Sequence, residues 1–235
     1  MNRQLSAHNI NNVKNYIYEI GQNNKRVDNL FHQLNRLGDV ILIGGAIRDI
    51  ALKNKYPRDI DLIINTKERL DEYLGEFNFE KNSLEGYKIS IEKFTFDIWT
   101  TESNWAYKER IINCSVEEIP KGAFYDFDSV TINLSDGKFY VDYFNKAIAS
   151  NLLDIMLEDH VVYRNPSPAI NIIRAIKIRE NWGLDFSKRL MSYMQNWLAN
   201  SSNPADELRY AEKKHYKMES FNVDNDRIEK FLFFN

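Results

Sequence analysis

At 235 residues, with 43% hydrophobic side chains and a formal net charge of −3, the chain is long enough to bury a sizeable core and too near neutrality to coat nucleic acid by bulk electrostatics. A single cysteine, Cys114, excludes an internal disulfide, and no apolar run approaches the length of a membrane span. The polar, asparagine-rich amino terminus has no charged-then-apolar leader pattern, so the expectation is a cytoplasmic protein without membrane contact, its oligomeric state left undetermined.

Residues 7 to 37 read as two amphipathic helices: Ile10, Val13, Ile17 and Ile20 fall on helical spacing, then Val27, Leu30, Phe31 and Leu34, with Gly38 ending the second. Residues 38–146 alternate strand and helix signals and hold all the candidate chemistry. Asp39 to Ile43 reads as a buried strand that runs into Gly44-Gly45, where the backbone turns and approaches a bulky anion with no Cβ in the way. A helix opening there points its unsatisfied N–H groups at phosphate oxygens. A second strand carries Asp59-Ile60-Asp61-Leu62, and alternation projects both aspartates from one face while Ile60 and Leu62 enter the core. Two carboxylates on one face invite Mg2+, a hard ion that binds through one or two carboxylates plus substrate phosphates. Gly-Gly alone is usually a tight turn, and Asp-x-Asp alone a solvated strand edge; their order and spacing together point to nucleotidyl transfer. For Arg48, a guanidinium matches phosphate in a bidentate way, and the competing reading is a structural ion pair or a bond to backbone.

Further along, Tyr87 to Glu92 and Phe94 to Thr100 alternate like strands, the latter carrying Asp97. An acid inside a β-branched and aromatic run needs a partner if buried, and a solvent-facing strand edge is the alternative; the pattern leaves both open. Val130, Ile132 and Leu134 alternate as a strand, and Asp136-Gly137 turns it into Lys138 to Tyr143. Residues 147–235 are helical in pattern, with breaks at Gly183 and Pro204 and Ser187 as a cap. Trp182, Met194 and Trp197 fall on core spacing, while Phe231, Phe233 and Phe234 either pack back on this region or form a partner interface. His8, His32, His160 and His215 lack metal-ligand spacing. Basic segments at Lys53-Asn54-Lys55 with Arg58, at Arg174 to Arg179 and at Lys213-Lys214 allow RNA contact without requiring it.

Gly44-Gly45-Ala46-Ile47-Arg48-Asp49 together with Arg58-Asp59-Ile60-Asp61-Leu62 resembles the head-domain signature of bacterial tRNA CCA-adding enzymes and poly(A) polymerases, within the DNA polymerase β-type nucleotidyltransferase superfamily. The resemblance covers roughly residues 38 to 190. It implies an α+β fold: a nucleotidyltransferase head over 38–146 with a mixed sheet flanked by helices, an N-terminal helical segment over 1–37 packing on it, and a helical neck-like region over 147–235. It also implies that Asp97 is a third carboxylate, so that Asp59, Asp61 and Asp97 hold Mg2+, or Mn2+ in its place. Gly44, Gly45, Arg48, Asp49 and Arg58 would then line the triphosphate.

Downstream, the family strand motif Arg-Arg-Asp-Phe-Thr-Ile-Asn reads here Phe127-Asp128-Ser129-Val130-Thr131-Ile132-Asn133, keeping Thr131 and Asn133 at the nucleotide without either arginine. The neck template Glu-Asp-x-x-Arg becomes Ser167, Pro168 and Asn171 followed by Arg174. An Asn amide still offers a base both a donor and an acceptor, but the C-then-A choice of the family does not carry over. The expected activity moves a nucleoside monophosphate from a nucleoside triphosphate to a hydroxyl, foremost an RNA 3′ end, releasing pyrophosphate without a histidine base. Nucleotidylation of a protein or small molecule, as a toxin or defence enzyme performs it, is the alternative, and a catalytically silent nucleotide-binding module is a third. CCA-adding enzymes continue into body and tail modules that grip the tRNA elbow, which we do not expect in this sequence.

Overall fold

A computed structural model describes residues 3–53, 56–82, 85–113 and 115–216. Cys114, the Asn54-Lys55 pair and the carboxyl-terminal phenylalanines lie outside them. The chain forms two compact units, one of residues 1–123 and 127–146, the other of 124–126 and 147–235.

The first unit opens with helix α1 (Ala7–Asn23), capped by Ser6 and Asn9, each of whose side chains satisfies the other's backbone N–H. Helix α2 (Lys25–Leu37) follows at once, capped by the Asn24 side chain on the N–H groups of Arg26 and Val27. Both bury most of the stripes that their spacing predicts, Ile10, Val13, Ile17 and Ile20 on α1, and Val27, Leu30 and Leu34 on α2, where Phe31 is half-buried. Gly38 does more than end α2, since a Cβ there would sit 2.3 Å from the Asn65 carbonyl oxygen, so only glycine lets the chain enter the sheet this close to its neighbour.

The sheet is built from β1 (Asp39–Ile43), β2 (Ile60–Asn65), β3 (Phe79–Lys81), β4 (Tyr87–Ile91), β5 (Phe94–Thr100), β6 (Thr131–Asn133) and β7 (Phe139–Tyr140), with short helices α3 (Gly45–Arg48) and α4 (Trp105–Lys108) between strands. Its seven strands run in the order β3-β4-β5-β2-β1-β6-β7. Only β2 and β5 pair in parallel; the other neighbours are antiparallel. One face carries Val40, Leu42, Leu62, Ile64, Phe96, Ile98 and Ile132, all fully buried, and α2 packs on that side, with Phe31 meeting Phe96 edge-on at 5.9 Å. The opposite face is apolar only in part: Ile41 and Ile63 lie beneath Ala106, Ile112 and Ile119. Beyond them the same face turns polar.

In the second unit lie helices α6 (Asp159–Val162), α7 (Pro168–Trp182), α8 (Lys188–Asn200) and α9 (Pro204–Tyr216), with β8 (Leu152–Leu153) and β9 (Asp185–Phe186) paired in parallel. The unit boundary falls within α5 (Asp142–Ser150). Gly183 stops α7 in the left-handed conformation, with φ of 70°, and the Ser187 hydroxyl caps α8 by accepting from the Leu190 N–H at 3.0 Å. Trp182 and Met194 are buried, and Lys177 of α7 pairs with the fully buried Glu212 of α9 at 2.8 Å. Among the described residues no helix is long and apolar enough to cross a membrane. The architecture is the α+β one that the resemblance implies, a mixed sheet flanked by helices with a helical region after it.

Candidate active site

Strand pairing lines up one transverse row across the polar face. Lys88 of β4 lies opposite Asp97 of β5, Asp97 beside Asp61 of β2, Asp61 opposite Ile43 of β1, Ile43 opposite Thr131 of β6, and Thr131 opposite Tyr140 of β7. Directly paired residues project to the same face, so two carboxylates stand side by side on neighbouring strands, with a lysine on one flank and, beyond Ile43, a threonine on the other. Asp59 precedes β2 by one residue and continues the Asp61 side of the alternation. The structure thus brings Asp61 and Asp97 together although they come from strands far apart in sequence.

Each acid meets a defined neighbour. Asp97 is buried, its Oδ2 accepting from Lys88 Nζ at 2.8 Å, while its Oδ1 is buried with no hydrogen-bond partner among the described residues. Asp59 Oδ2 accepts from Arg58 Nε and Nη2 at 3.0 and 2.8 Å. The glycine turn lies against Asp61, since a Cβ on Gly44 would come 4.0 Å from its Oδ2. Gly44 has φ of 69°, a left-handed conformation that favours glycine, and its N–H is fixed to the Val130 carbonyl at 3.0 Å. Gly45 then starts α3, whose first N–H groups have no carbonyl within the helix to reach.

The residues expected around the triphosphate divide. Arg48 is buried, its Nη1 2.7 Å from Asp128 Oδ1 and donating to the Phe127 carbonyl at 3.1 Å, with the guanidinium 4.5 Å above the Phe127 ring. The physical reason is burial, because a cation inside the fold is held by a charge and a carbonyl that the 126–128 segment supplies. Asp49 closes α3 and opens a π-helical turn, Asp49–Lys53, half-buried. Thr131 and Asn133 are both buried; Asn133 Oδ1 accepts from the Ser135 N–H at 2.9 Å, and Thr131 Oγ1 has no hydrogen-bond partner among the described residues. Asn171 and Arg174 lie on α7 in the second unit, where the Asn171 side-chain amide donates to Asn165 Oδ1 at 3.0 Å and the Asn171 backbone carbonyl accepts from the Tyr125 hydroxyl at 2.9 Å. Burial pushes the neighbouring Tyr193 hydroxyl up to about 12, a side-chain hydrogen bond with Asn171 opposing the rise. Arg174 is half-buried one turn further on.

Lys88 and Asp128 are the two residues here that the sequence reading did not single out. A hard-oxygen donor set with an unsatisfied buried oxygen fits Mg2+ or Mn2+. Among the described residues no three His, Cys, Asp or Glu side chains are gathered into a preformed metal cage. Magnesium does not need one, since it keeps several waters and shares its coordination with substrate phosphates.

At the level of sequence, no protein-family model and no curated protein matches the chain. Solved structures do match, and they define a fold: that of the CCA-adding enzymes. A CCA-adding enzyme in apo form I superposes with a TM-score of 0.60 at 16% identity, over 88% of this chain and 51% of that one. The Thermotoga maritima CCA-adding enzyme complexed with tRNA gives a TM-score of 0.57 at 14% identity, over 88% and 51%. A tRNA nucleotidyltransferase complexed with a primer tRNA and an incoming ATP analog gives 0.55 at 18%, over 83% and 55%. The chain spans about half the length of these enzymes.

Proposed function

We propose that the first unit is a metal-dependent nucleotidyltransferase, moving a nucleoside monophosphate from a nucleoside triphosphate to a hydroxyl acceptor, with an RNA 3′ end as that acceptor. The observation that carries this reading is the pairing of Asp61 with Asp97 beside the Gly44-Gly45 turn, on a fold shared with enzymes solved with ATP and with tRNA.

In the proposed reaction the acceptor hydroxyl gives its proton to solvent water as its oxygen attacks the α-phosphorus, the bond to the bridging oxygen of the β-phosphate breaks, and pyrophosphate leaves with the electron pair. Asp59, Asp61 and Asp97 would hold Mg2+ or Mn2+, which when bound lowers the pKa of the acceptor hydroxyl and offsets charge on the leaving group. The chain's own residues provide position. Gly44 and Gly45 keep side chains clear of the phosphates, and the opening N–H groups of α3 face their charge. Thr131, whose hydroxyl is unsatisfied in the same row, donates to the nucleotide.

Incubation with each α-labelled nucleoside triphosphate, Mg2+ or Mn2+ and total cell RNA tests this directly. Label is expected in material that RNase destroys and protease leaves intact. Label that protease removes would overturn the RNA acceptor, and no transfer with any triphosphate and either metal would overturn the activity.

A further inference from the structure

We propose that Lys88 is a built-in cation of this site which, with Arg58, keeps the carboxylates from taking a bare divalent ion, so that the metal enters together with the triphosphate. The proposal rests on the nucleotidyltransferase reading and adds to it the order in which the site is filled.

Lys88 faces Asp97 in antiparallel register, and its Nζ stands 2.8 Å from Asp97 Oδ2. The carboxylate is the more enclosed partner, its side chain 12% exposed against 41% for the lysine. Arg58 does the same for Asp59, with two N–H groups on one oxygen. Asp97 and Asp59 are therefore already counter-charged by the fold. An ion arriving alone at Asp61 and Asp97 meets the lysine's charge one strand away, and in a partly desolvated setting that repulsion is poorly screened. A triphosphate brings more negative charge than the ion brings positive, so the complex meets attraction from Lys88 and Arg58 where the bare ion meets repulsion.

Mn2+ binding to the full chain, followed by electron paramagnetic resonance with and without ATP, reads this without depending on turnover. Lys88→Met is expected to tighten Mn2+ binding in the absence of nucleotide by about tenfold or more. By the same argument it should weaken Mn–ATP binding, and Lys88→Arg should behave as the unaltered chain. Nucleotide-free affinity in Lys88→Met that is weaker, or within about twofold of the unaltered chain, would overturn the proposal, the lysine then serving only to brace Asp97. Tightened binding that survives an added Asp61→Asn change would overturn it too, by placing the ion elsewhere. An unaltered chain that binds neither Mn2+ nor Mn–ATP defeats the underlying reading along with this one, and that result is distinct from the other two.

Discussion

Asp61→Asn is expected to lower nucleotidyl transfer by about a thousandfold while leaving thermal stability unchanged or raised. The exchange keeps the shape of the side chain and removes its charge from a position directly beside Asp97. Two like charges on paired strand positions repel, so neutralising one relieves the sheet by a few tenths of a kcal/mol, up to about 1. A residue kept for the fold would show the opposite pattern, a loss of stability with activity falling in proportion. Retention of full transfer by Asp61→Asn would remove the carboxylate pair from the mechanism. Loss of transfer accompanied by a collapsed melting temperature would make Asp61 a structural residue.

The largest effect on stability is expected at Arg48. Its pair with Asp128 is buried on both sides, at 9% and 8% side-chain exposure, and the same guanidinium holds the Phe127 carbonyl. Arg48→Met strips the counter-charge from an enclosed carboxylate, and breaking a buried pair from one side costs about 3–5 kcal/mol. Replacing both partners, Arg48→Met with Asp128→Leu, should recover much of that loss, because two apolar side chains no longer carry a desolvation penalty. Urea unfolding of the two single variants and the double variant measures this coupling. Transfer should fall in Arg48→Met as well, since the guanidinium lies 3.5 Å from where a Gly45 Cβ would be. If Arg48→Met is as stable as the unaltered chain and loses only nucleotide binding, the arginine is a phosphate ligand and its pair with Asp128 is incidental.

Local pattern made much of this fold readable. The stripes on α1 and α2, the apolar run of β1, the alternation in β2 and β5, and the glycine turn all follow from periodicity, from composition and from residues that permit or forbid a backbone conformation. Asp97 shows where such reading stops. Alternation set its face, but only the parallel pairing of β2 with β5 sets it beside Asp61, and pairing of distant strands is not written in either strand. Lys88 was closer to being legible. Ile91 and Phe94 flank a two-residue hairpin turn at Glu92-Lys93, and counting back from that pair leads to Lys88 opposite Asp97. Asp128 gave no such signal, since it reaches Arg48 from a short 3-10 turn, Asp126–Asp128, far along the chain. Asn171 had the right chemistry and helix position for a base, yet its amide is held by Asn165, a loop residue with no periodicity to betray it.

Crystals grown with a non-hydrolysable ATP analogue and Mn2+, with data collected at the manganese edge, would test the central claim most directly. The account predicts an anomalous peak about 2.0–2.3 Å from oxygens of Asp61 and Asp97, with the triphosphate against Gly44 and Gly45. Manganese and triphosphate bound away from that row, with both aspartates uninvolved, would contradict it.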